Sequence, residues 1–538
     1  MTVGTVLTSY DQWRKWAEQQ YTVLPYVVKY KLDSPERLRS WNQAWHTAGD
    51  YAFVLESGKD GRYTFLGLRP EAVIRGKGDR AQADELSANA EGQSLTGKPL
   101  ELVKGWMAPY RSPFVDGAPK FIGGCVGYLS YDTVRSLEEL PERAADDLGL
   151  PDYLFMRINE LWIIDHERAE LYCAVHTPVL TTLADEEALP RLYQAALQSE
   201  RRMKGQWDAI RSSADDERTA AEYDARLRMV QEDKLHMDIE SLTGIETLFP
   251  KSDFEEAVRR IQQYIRQGDV FQVNLSLRQS RAIRSVPEEL YEWLRLFNPS
   301  PYMGFLRCPD FQLVSASPEL LVKLERGRVS TRPIAGTRRR GRTEREDREM
   351  AAELLASEKE RAEHIMLVDL ERNDLGRISK YGTVRVSELM AVEYYSHVMH
   401  LVSEVVGELA EGKDAYDVLA ATFPGGTITG APKIRTMEII EELEPTRRGP
   451  YTGSLGFIDY NGNMEFNIII RTLTVREGVG HIQAGAGIVI DSDPEREYYE
   501  SMNKAKALWK AIQYSERELG DYRFKRSQKK SSGKMSSP

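Results

Sequence analysis

Residues 252–280 change from a helical to a strand pattern within a few positions, and this change constrains the fold more than any other feature. Ser252 with Glu255 predicts a capping box, and Gly268 predicts the end of the helix. Between them the apolar residues follow helical spacing: Phe254, Val258, Ile261 and Ile265. The next segment, VFQVNLSLRQS, alternates as a half-buried strand does. From here to about residue 515 the sequence predicts alternating helices and strands.

Composition divides the chain into four parts. Residues 1–202 form an N-terminal region with strand-like segments such as YAFVLES and YTFLGL, rich in β-branched and aromatic residues. Residues 203–248 are polar, charged and poor in aromatic residues, which predicts a partly helical linker or surface insertion. Residues 249–518 hold the alternating helices and strands. The basic segment 519–538 is low in complexity, so we expect a disordered tail.

Charge and composition exclude several classes of protein. The 538 residues carry a net charge of −11, which argues against nucleic acid as a partner, because phosphate binding needs a basic surface. No run of about 18 apolar residues occurs, so we expect no membrane span, and the N-terminus lacks the pattern of a signal peptide. The three cysteines form no CxxC motif, which fits the reducing cytoplasm and argues against a zinc or iron–sulfur site.

Two helical segments each carry a pair of glutamates spaced three residues apart. Glu360 and Glu363 lie in EKERAEHIMLVDLERND, and Glu497 and Glu500 follow Pro494, which can start a helix. Carboxylates on one face of each helix provide the oxygen ligands that Mg²⁺ prefers. Charged surface helices also produce this spacing often, so the spacing alone is weak evidence for a metal site.

The segment FPGGTITGAPKIRTMEIIEELEP is rich in glycine where a helix is about to begin. Gly425, Gly426 and Gly430 allow the backbone to approach a ligand closely, and Pro432 can open the helix. It is not a Walker A loop, because Lys-Ser/Thr does not follow the last glycine. Four further residues could bind the carboxylates of a substrate, although each type is also common on surfaces and in cores: Thr427, Tyr451, Arg471 and Lys504.

An ordered set of segments closely resembles the chorismate-utilising enzymes, which include anthranilate, aminodeoxychorismate, isochorismate and salicylate synthases. The matching segments include GDVFQVNLS, NPSPYM, SPELL, TRPIAGTRRRG, KERAEHIMLVDLERNDLGR, YTGSLGF and AGAGIV. They cover about residues 250–515, and VLESGKDGRYTFLGL with GGCVGYLSYD extends the likeness over nearly the whole chain. The resemblance implies an α+β fold of two intertwined subdomains, with large antiparallel sheets flanked by helices and the active site between them. It also implies Mg²⁺-dependent chemistry on chorismate.

The resemblance also assigns roles to individual residues. Glu319 looks like the general acid that protonates the departing C4 hydroxyl, and His400 shapes the site around the ring. Further catalytic positions implied by the motifs are Gln272, Ala335 and Thr337. The residues implied to hold the substrate are Thr427, Tyr451, Arg471, Gly485, Gly487 and Lys504. Those implied to hold Mg²⁺ are Glu360, Glu363, Glu497 and Glu500. A non-catalytic scaffold subunit would be expected to have lost these glutamates.

Two positions separate the members of this family. Members that use water carry a lysine as general base where this chain has Gln272, so the resemblance implies ammonia as the nucleophile. Many aminodeoxychorismate synthases carry a lysine where this chain has Ala335, as anthranilate synthases do. PGGTITGAPK and EFNIIIRT are nevertheless more similar to aminodeoxychorismate synthases, above all to component I of Gram-positive bacilli. We therefore expect aminodeoxychorismate as the product, with anthranilate as the alternative.

The resemblance implies one protein partner and a second small-molecule site. The chain has no glutaminase signature, so a separate glutamine amidotransferase subunit is expected to supply the ammonia. LES at 55–57 and NPSPYM at 298–303 resemble the family's tryptophan pocket, which implies a bound tryptophan. The residues of this tryptophan-like pocket are Glu56, Ser57, Pro301, Tyr302 and Met303. The alternative is a plain contact between subdomains.

Overall fold

The structure is a computed structural model that describes seven stretches of the chain, and only the backbone of residues 519–532. The described stretches are 4–34, 37–58, 61–86, 92–179, 187–232, 243–394 and 398–532. The strands up to residue 247 are β1 (Thr5–Val6), β2 (Val23–Lys31), β3 (Ala52–Glu56), β4 (Tyr63–Gly67), β5 (Ala72–Lys77), β6 (Arg80–Glu85), β7 (Gln93–Thr96), β8 (Gly124–Leu129), β9 (Tyr153–Ile158), β10 (Glu160–Asp165), β11 (Glu170–Pro178) and β12 (Glu246–Thr247).

The later strands and the helices complete the described secondary structure. The strands are β13 (Gln272–Ala282), β14 (Tyr302–Arg307), β15 (Gln312–Ser317), β16 (Leu320–Glu325), β17 (Arg328–Thr331), β18 (Ile334–Arg339), β19 (Arg385–Tyr394), β20 (Val398–Glu408), β21 (Gly430–Ala431), β22 (Ser454–Asp459), β23 (Met464–Ile468), β24 (Thr472–Arg476) and β25 (Val479–Ile488). The helices are α1 (Tyr10–Glu18), α2 (Asn42–Thr47), α3 (Pro99–Met107), α4 (Ala188–Ala214), α5 (Glu217–Glu232), α6 (Lys251–Gln267), α7 (Pro287–Phe297), α8 (Glu344–Ala356), α9 (Glu358–Gly376), α10 (Ala415–Thr422), α11 (Lys433–Leu443) and α12 (Pro494–Ser532).

Two large sheets organise the molecule. The first has 13 strands in the order β1-β2-β11-β10-β4-β3-β14-β15-β24-β25-β13-β12, with β21 paired to β13. The second has 12 strands in the order β18-β20-β17-β16-β23-β22-β8-β9-β5-β6-β7, with β19 paired to β20. Neighbours pair antiparallel. In each sheet a block of N-terminal strands joins a block of later strands, at the pairing of β3 with β14 in the first sheet and of β8 with β22 in the second. The predicted fold of two intertwined, mainly antiparallel subdomains is confirmed.

The two sheets pack face to face, and helices cover their outer faces. Between the sheets, Phe121 stacks on Phe457 with ring centroids 4.2 Å apart, and Phe65 lies 5.6 Å from Phe457. Outside the first sheet, the core includes residues of α4, α6, α7, α11 and α12. Outside the second sheet, Val368 and Leu375 of α9 pack in the same core as α3 and α10. Each of these helices therefore buries one apolar side against a sheet.

Helix α6 confirms the predicted stripe but not the predicted cap. Phe254, Val258 and Ile261 are fully buried, and Gly268 ends the helix in the left-handed conformation with φ of +81°. The helix begins at Lys251, one residue before the predicted capping residue, and Pro250 occupies the N-cap position without a side-chain cap. Ser252 instead donates its hydroxyl hydrogen bond to Asp253 Oδ1 at 2.9 Å. The predicted capping box is therefore wrong, because the helix starts two positions too early for Ser252 to be its N-cap.

The segment predicted to be a linker begins inside a helix. α4 runs through residues 202 and 203, and Met203, Trp207 and Ile210 are buried in the core of the first sheet. In α5, by contrast, the described side chains are all at least partly exposed. The first part of 203–248 therefore belongs to the folded N-terminal region, because apolar residues recur at helical spacing in a segment that is polar on average. Residues 233–242 of that segment lie outside the described residues.

The C-terminal helix continues past the predicted boundary at residue 518. α12 extends to Ser532, so its backbone includes most of the segment expected to be a disordered tail. The side chains from 519 onward and all of residues 533–538 lie outside the description. None of the helices in the described part of the chain combines the length and the apolar character that crossing a membrane would require.

Candidate active site

The floor of the site is the polar face of β13 and β25. Gln272 and Asn274 alternate with Val273 and Leu275, which are buried in the core on the other face. Asn274 is paired with Gly487 of β25. A Cβ atom at Gly487 would stand 2.3 Å from Gln272 Nε2, so any other residue here would displace the Gln272 amide from its position.

Two amide oxygens on this floor are buried without a hydrogen-bond partner. Among the described residues, neither Gln272 Oε1 nor Asn274 Oδ1 finds a donor. Gln272 Nε2 does donate, to Glu363 Oε1 of α9 at 3.4 Å, which fixes the direction of the amide. Buried polar atoms without partners are rare in folded proteins, and a polar ligand that donates hydrogen bonds would satisfy both oxygens.

Glu319 lies where the chain crosses from the first sheet to the second, between β15 and β16. Its backbone is fixed by Ser317 Oγ, which accepts from its amide at 3.3 Å, and by the amide of Ile468, which donates to its carbonyl at 3.0 Å. Its carboxyl is buried, and Oε1 finds no hydrogen-bond partner in the described part of the chain. Burial raises the pKa of Glu319 to about 7, against the opposing effects of the Thr427 hydroxyl, Arg471 and Lys504. Near neutral pH this residue can therefore donate a proton.

Three of the predicted substrate-binding residues surround Glu319. Arg471 and Lys504 act electrostatically on its carboxyl. The charge of Glu319 in turn acts on the Tyr451 phenol, whose pKa is raised mainly by burial. Arg471 has a backbone φ of +49°, and its carbonyl accepts from the amide of Ala316 at 3.1 Å. Lys504 donates to the carbonyl of Gly485 at 2.9 Å. The two cationic groups thus act on Glu319 from two different elements.

The glycine-rich turn brings Thr427 to the same place. It consists of residues 424–432, whose middle forms a short 3₁₀ turn, and α11 begins directly afterwards at Lys433. A Cβ atom at Gly426 would stand 2.0 Å from Leu370 of α9, so glycine permits close packing of this turn against α9. Gly426 therefore allows α9 to pack closely against this turn, a role that adds to the close approach of a ligand predicted from the sequence.

The four predicted metal ligands form two pairs on α9 and α12, and each pair has neutralising partners. Glu360 accepts from Arg338 at 3.1 Å, and Lys504 lies 2.9 Å from Glu500. Burial and then the nearby charge of Glu360 raise the pKa of Glu363. Burial likewise raises the pKa of Glu497, and the hydrogen bond from Ser492 at 2.6 Å opposes this while Glu500 adds to it. The raised pKa values of these partly buried carboxyls mean that the neighbouring cations do not fully offset burial and mutual repulsion.

The two pairs face a common region but do not converge on one point. Lys359 and Lys504 both act electrostatically on the carboxylates of Glu363 and Glu497, so the two pairs share the same cationic neighbours. Within the described stretches, no three acidic, histidine or cysteine side chains meet closely enough to hold a metal ion. The donor atoms, all carboxylate oxygens with excess negative charge, fit Mg²⁺, which takes few protein ligands and keeps bound waters. The metal assignment stays a prediction.

The strand pair β18 and β20 contributes the remaining catalytic candidates. Ala335 is buried and paired with Leu401, and the pairing shifts at Gly336 before Thr337 meets His400. His400 Nδ1 lies 3.1 Å from both the Gly336 carbonyl and Thr337 Oγ1. Burial lowers the pKa of His400 to about 4, so the ring is neutral at pH 7. Since a carbonyl only accepts, the Nδ1 proton points to Gly336 and Nε2 is an acceptor.

The predicted tryptophan pocket is part of a large cavity that lies beside the site. This cavity encloses about 890 Å³. All five predicted residues line it: Glu56, Ser57, Pro301, Tyr302 and Met303. The Glu56 carboxylate accepts hydrogen bonds from Tyr291 and Arg295, each at 2.9 Å. Burial alone would raise the pKa of Glu56, but Arg295 outweighs it and holds the pKa below its ordinary value.

The cavity and the catalytic site share walls. Pro318 and Leu320, the neighbours of Glu319, line the cavity, and so does Ile334, the neighbour of Ala335. Neighbouring residues of one extended segment face opposite sides, so one face of each segment lines the cavity and the other lines the site.

Sequence reasoning missed three polar residues that the structure places in or next to the site: Asn274, Glu371 and Thr331. The period-two pattern of β13 was sufficient to assign Asn274 to the same face as Gln272. Glu371 lies two helical turns after Glu363, so helical spacing would have placed it on the same side of α9. Thr331 had no local signal, because its role depends on contacts with residues distant in the sequence.

Comparison with known proteins agrees with this geometry. The family of chorismate binding enzymes matches residues 51–510. Aminodeoxychorismate synthase component 1 of Bacillus subtilis is 45% identical over 468 residues, covering 86% of this chain and 92% of that protein. Anthranilate synthase component 1 of Thermus thermophilus is 46% identical over 476 residues, covering 86% and 93%.

A solved structure supports the same assignment. Anthranilate synthase component I from Streptococcus pneumoniae superposes with a TM-score of 0.67 at 33% identity, covering 84% of this chain and 92% of that one. The isochorismate synthase MenF of Escherichia coli, at 16% identity and a TM-score of 0.61, shares the fold. This chain belongs to the chorismate binding enzyme family.

Proposed function

We propose that this chain is component I of an aminodeoxychorismate synthase, which converts chorismate and ammonia into 4-amino-4-deoxychorismate and water for the synthesis of 4-aminobenzoate and folate. The observation that carries the proposal is the buried Glu319 carboxyl, with its pKa near 7, facing Arg471 and Lys504. A substrate with two carboxylates and a hydroxyl that must leave needs cations for the former and a neutral acid for the latter.

Glu319 supplies the proton on which the reaction depends. The C4 hydroxyl takes this proton, its bond to carbon breaks, and it leaves as water. The nitrogen of ammonia forms the new bond to the ring, and the resulting ammonium group loses one proton, which restores the Glu319 carboxylic acid. Arg471, Lys504, Thr427 and Tyr451 hold the carboxylates of the substrate in this arrangement.

Gln272 is suited to receive ammonia rather than to activate water. An amide is not basic enough to deprotonate water, but the buried and unpaired Oε1 of Gln272 can accept a hydrogen bond from an N–H group of ammonia. Its Nε2 is already engaged with Glu363, so the oxygen points to one side. Ala335 offers no nucleophile, so we propose that no lysine adduct forms. Detection of a covalent substrate–lysine adduct by mass spectrometry would contradict this.

We propose that Mg²⁺ binds at Glu360, Glu363, Glu497 and Glu500. When bound, the ion would neutralise the ring carboxylate of chorismate and the surplus charge of these glutamates. Without it, the carboxylates of substrate and protein would repel each other.

Two further elements of the proposal concern the surroundings of the enzyme. A glutamine amidotransferase subunit supplies ammonia, as the component I designation of the relatives suggests. A cytoplasmic location fits the three cysteines, which are free and buried. We also propose that the cavity lined by Tyr302 and Met303 binds tryptophan, since its volume of about 890 Å³ exceeds what one side chain needs.

Anthranilate synthase is a second candidate that specific observations favour. Formation of anthranilate adds the elimination of pyruvate, which requires a base. His400 is neutral at pH 7 with Nε2 as acceptor, so it could take that proton. Identity to the anthranilate synthase of Thermus thermophilus is as high as to the aminodeoxychorismate synthase of Bacillus subtilis.

A product assay separates the two candidates. The protein is incubated with chorismate, Mg²⁺ and ammonium salt, without any amidotransferase. We expect little anthranilate fluorescence, and 4-aminobenzoate only after a separate aminodeoxychorismate lyase is added. Anthranilate appearing without the lyase would establish the second candidate. A parallel reaction with glutamine in place of ammonium should give no product until an amidotransferase subunit is added.

A further inference from the structure

Helix α9 carries a third inward-facing carboxyl that the proposed reaction does not use. Glu371 follows Glu363 by eight residues, so it lies two turns further along the same face of the helix. Its side chain is partly buried, and the charge of Glu319 acts on its carboxyl, so the two carboxyls lie near each other.

The hydrogen bonds of Thr331 determine the state of this carboxyl. Thr331 Oγ1 lies 2.9 Å from the Leu321 carbonyl and 2.5 Å from Glu371 Oε2. A hydroxyl has one proton to donate, and a carbonyl can only accept. Both contacts are hydrogen bonds at once only when Thr331 donates to Leu321 and a protonated Glu371 donates to Thr331.

The surroundings of Glu371 favour the protonated form. The charged groups that face it are Glu319 from the β15–β16 crossing, Asp374 from its own helix and Lys433 from α11. Lys433 Nζ binds Asp374 Oδ2 at 2.7 Å, so its charge is already paired. Burial raises the pKa of Glu371 well above its ordinary value and outweighs the opposing effects of the Thr331 hydroxyl and Lys433, while the charges of Glu319 and Asp374 raise the pKa further.

The hydrogen bonds among Glu371, Thr331 and Leu321 lie next to the segments that carry Glu319 and Ala335. Leu321 is two residues beyond Glu319 and lies in the bulge that interrupts the pairing of β16 with β23. Thr331 is the last residue of β17, four residues before Ala335. The chain Glu371–Thr331–Leu321 therefore ties α9, which carries Glu363, to the backbone segment that carries the general acid.

We propose that Glu371 is a positioning residue that works as a neutral acid, latching α9 to the β16–β17 hairpin and so fixing Glu363 relative to Glu319. When Glu371 ionises, two acceptors compete for the one Thr331 proton, and a second negative charge stands beside Glu319. The latch then loosens, and the carboxylates lose their alignment. The effect on rate rests on the proposed function, whereas the effect on the fold does not.

A substrate-free experiment tests the protonation state. The unfolding temperature of the wild type is compared with that of Glu371→Gln across pH 5 to 9, because glutamine can still donate to Thr331 but cannot ionise. The folded protein holds this proton more tightly than the unfolded chain, so stability falls as pH rises from the unfolded pKa to the folded one. We expect the wild type to lose stability relative to the glutamine variant as pH rises. Identical pH dependence in both proteins would overturn the proposal.

Kinetics with three variants tests the positioning role. Glu371→Gln is expected to keep the rate at pH 7 within about threefold, whereas Glu371→Ala and Thr331→Val should each lose about tenfold or more in kcat, the cost of one lost buried hydrogen bond. Glu358→Gln, at the exposed start of the same helix, is the matched control and should match the wild type.

The glutamine variant is the decisive member of the series. A loss as large as that of the alanine variant would show that the carboxylate charge is what matters, and would overturn the proposal. If the wild type proves inactive with chorismate and ammonium, the proposed function fails, but the unfolding comparison still decides the state of Glu371.

Discussion

The candidate active site and the cavity beside it are built from opposite faces of the same segments, but they differ in whether their polar groups have hydrogen-bond or ion-pair partners. In the site, Glu319 Oε1, Gln272 Oε1 and Asn274 Oδ1 are buried without hydrogen-bond partners among the described residues. In the cavity, Lys120 pairs with Glu465, and Lys323 pairs with Glu325 at 2.5 Å. Within the described residues, these polar atoms of the site lack partners, whereas these charged groups around the cavity are paired.

This difference suggests that the polar groups of the site contribute mainly to the reaction rate and those of the cavity mainly to the stability of the fold. Leaving buried polar atoms unpaired costs folding free energy, which a protein tolerates where a ligand later supplies the missing partners. A charged group that is already in an ion pair contributes to the fold but interacts only weakly with a reacting molecule. We therefore expect substitutions in the site to change rate more than stability, and substitutions around the cavity to change stability more than rate.

The largest effect is expected from Glu319→Gln. The amide cannot donate the proton to the leaving hydroxyl, so kcat should fall by about 10²- to 10⁴-fold, with little change in unfolding temperature. Glu325→Gln, two strand positions from the cavity wall residue Lys323, is the matched control and should keep nearly full activity. Comparable losses in both variants would remove the distinction between site and cavity.

Arg295→Met should show the reverse behaviour. It leaves the Glu56 carboxylate buried without its guanidinium partner, which should lower the free energy of unfolding by about 3–5 kcal/mol. Urea unfolding measures this. Arg345→Met breaks an exposed pair with Glu349 and should change stability little. Unchanged stability of Arg295→Met would mean that the Glu56–Arg295 pair does not hold the cavity wall.

Glu363→Gln tests the metal prediction. Losing one carboxylate ligand should cost on the order of 10²- to 10³-fold in rate at low Mg²⁺, because bound metal contributes several kcal/mol to such reactions. Raising Mg²⁺ should restore part of the activity. Asp369→Asn on the exposed side of α9 is the control. Activity of the variant that does not depend on Mg²⁺ would contradict the metal assignment.

The smallest effect is expected from tryptophan. If it occupies the cavity, it should stabilise the folded protein by about 2.7 kcal/mol at a concentration 100 times its dissociation constant. Thermal unfolding with increasing tryptophan measures the effect, and Tyr302→Ala should weaken it. No shift at any concentration would leave the cavity as a contact between subdomains.

Local motifs in the sequence predicted which residues lie near one another better than they predicted the boundaries of the elements. The carboxylate pairs, Glu319 and the glycine-rich turn are carried by local motifs, and the structure brings Glu319, Thr427, Tyr451, Arg471 and Lys504 together. The buried part of 203–248 was missed, because Trp207 and Ile210 follow helical spacing within an otherwise polar segment. The Thr331–Glu371 contact joins a strand to a helix 40 residues later, and no local pattern records such a contact.

The pH dependence of kcat/KM tests the central claim, that a neutral Glu319 donates the proton, most directly. The measurement should hold free ammonia constant by adjusting total ammonium at each pH, since the ammonia fraction itself rises with pH. With a pKa of about 7 in the free enzyme, the acid form of Glu319 is lost as pH rises, so kcat/KM should fall about tenfold per pH unit above that value. A profile that stays level from pH 6 to 9 would contradict the account.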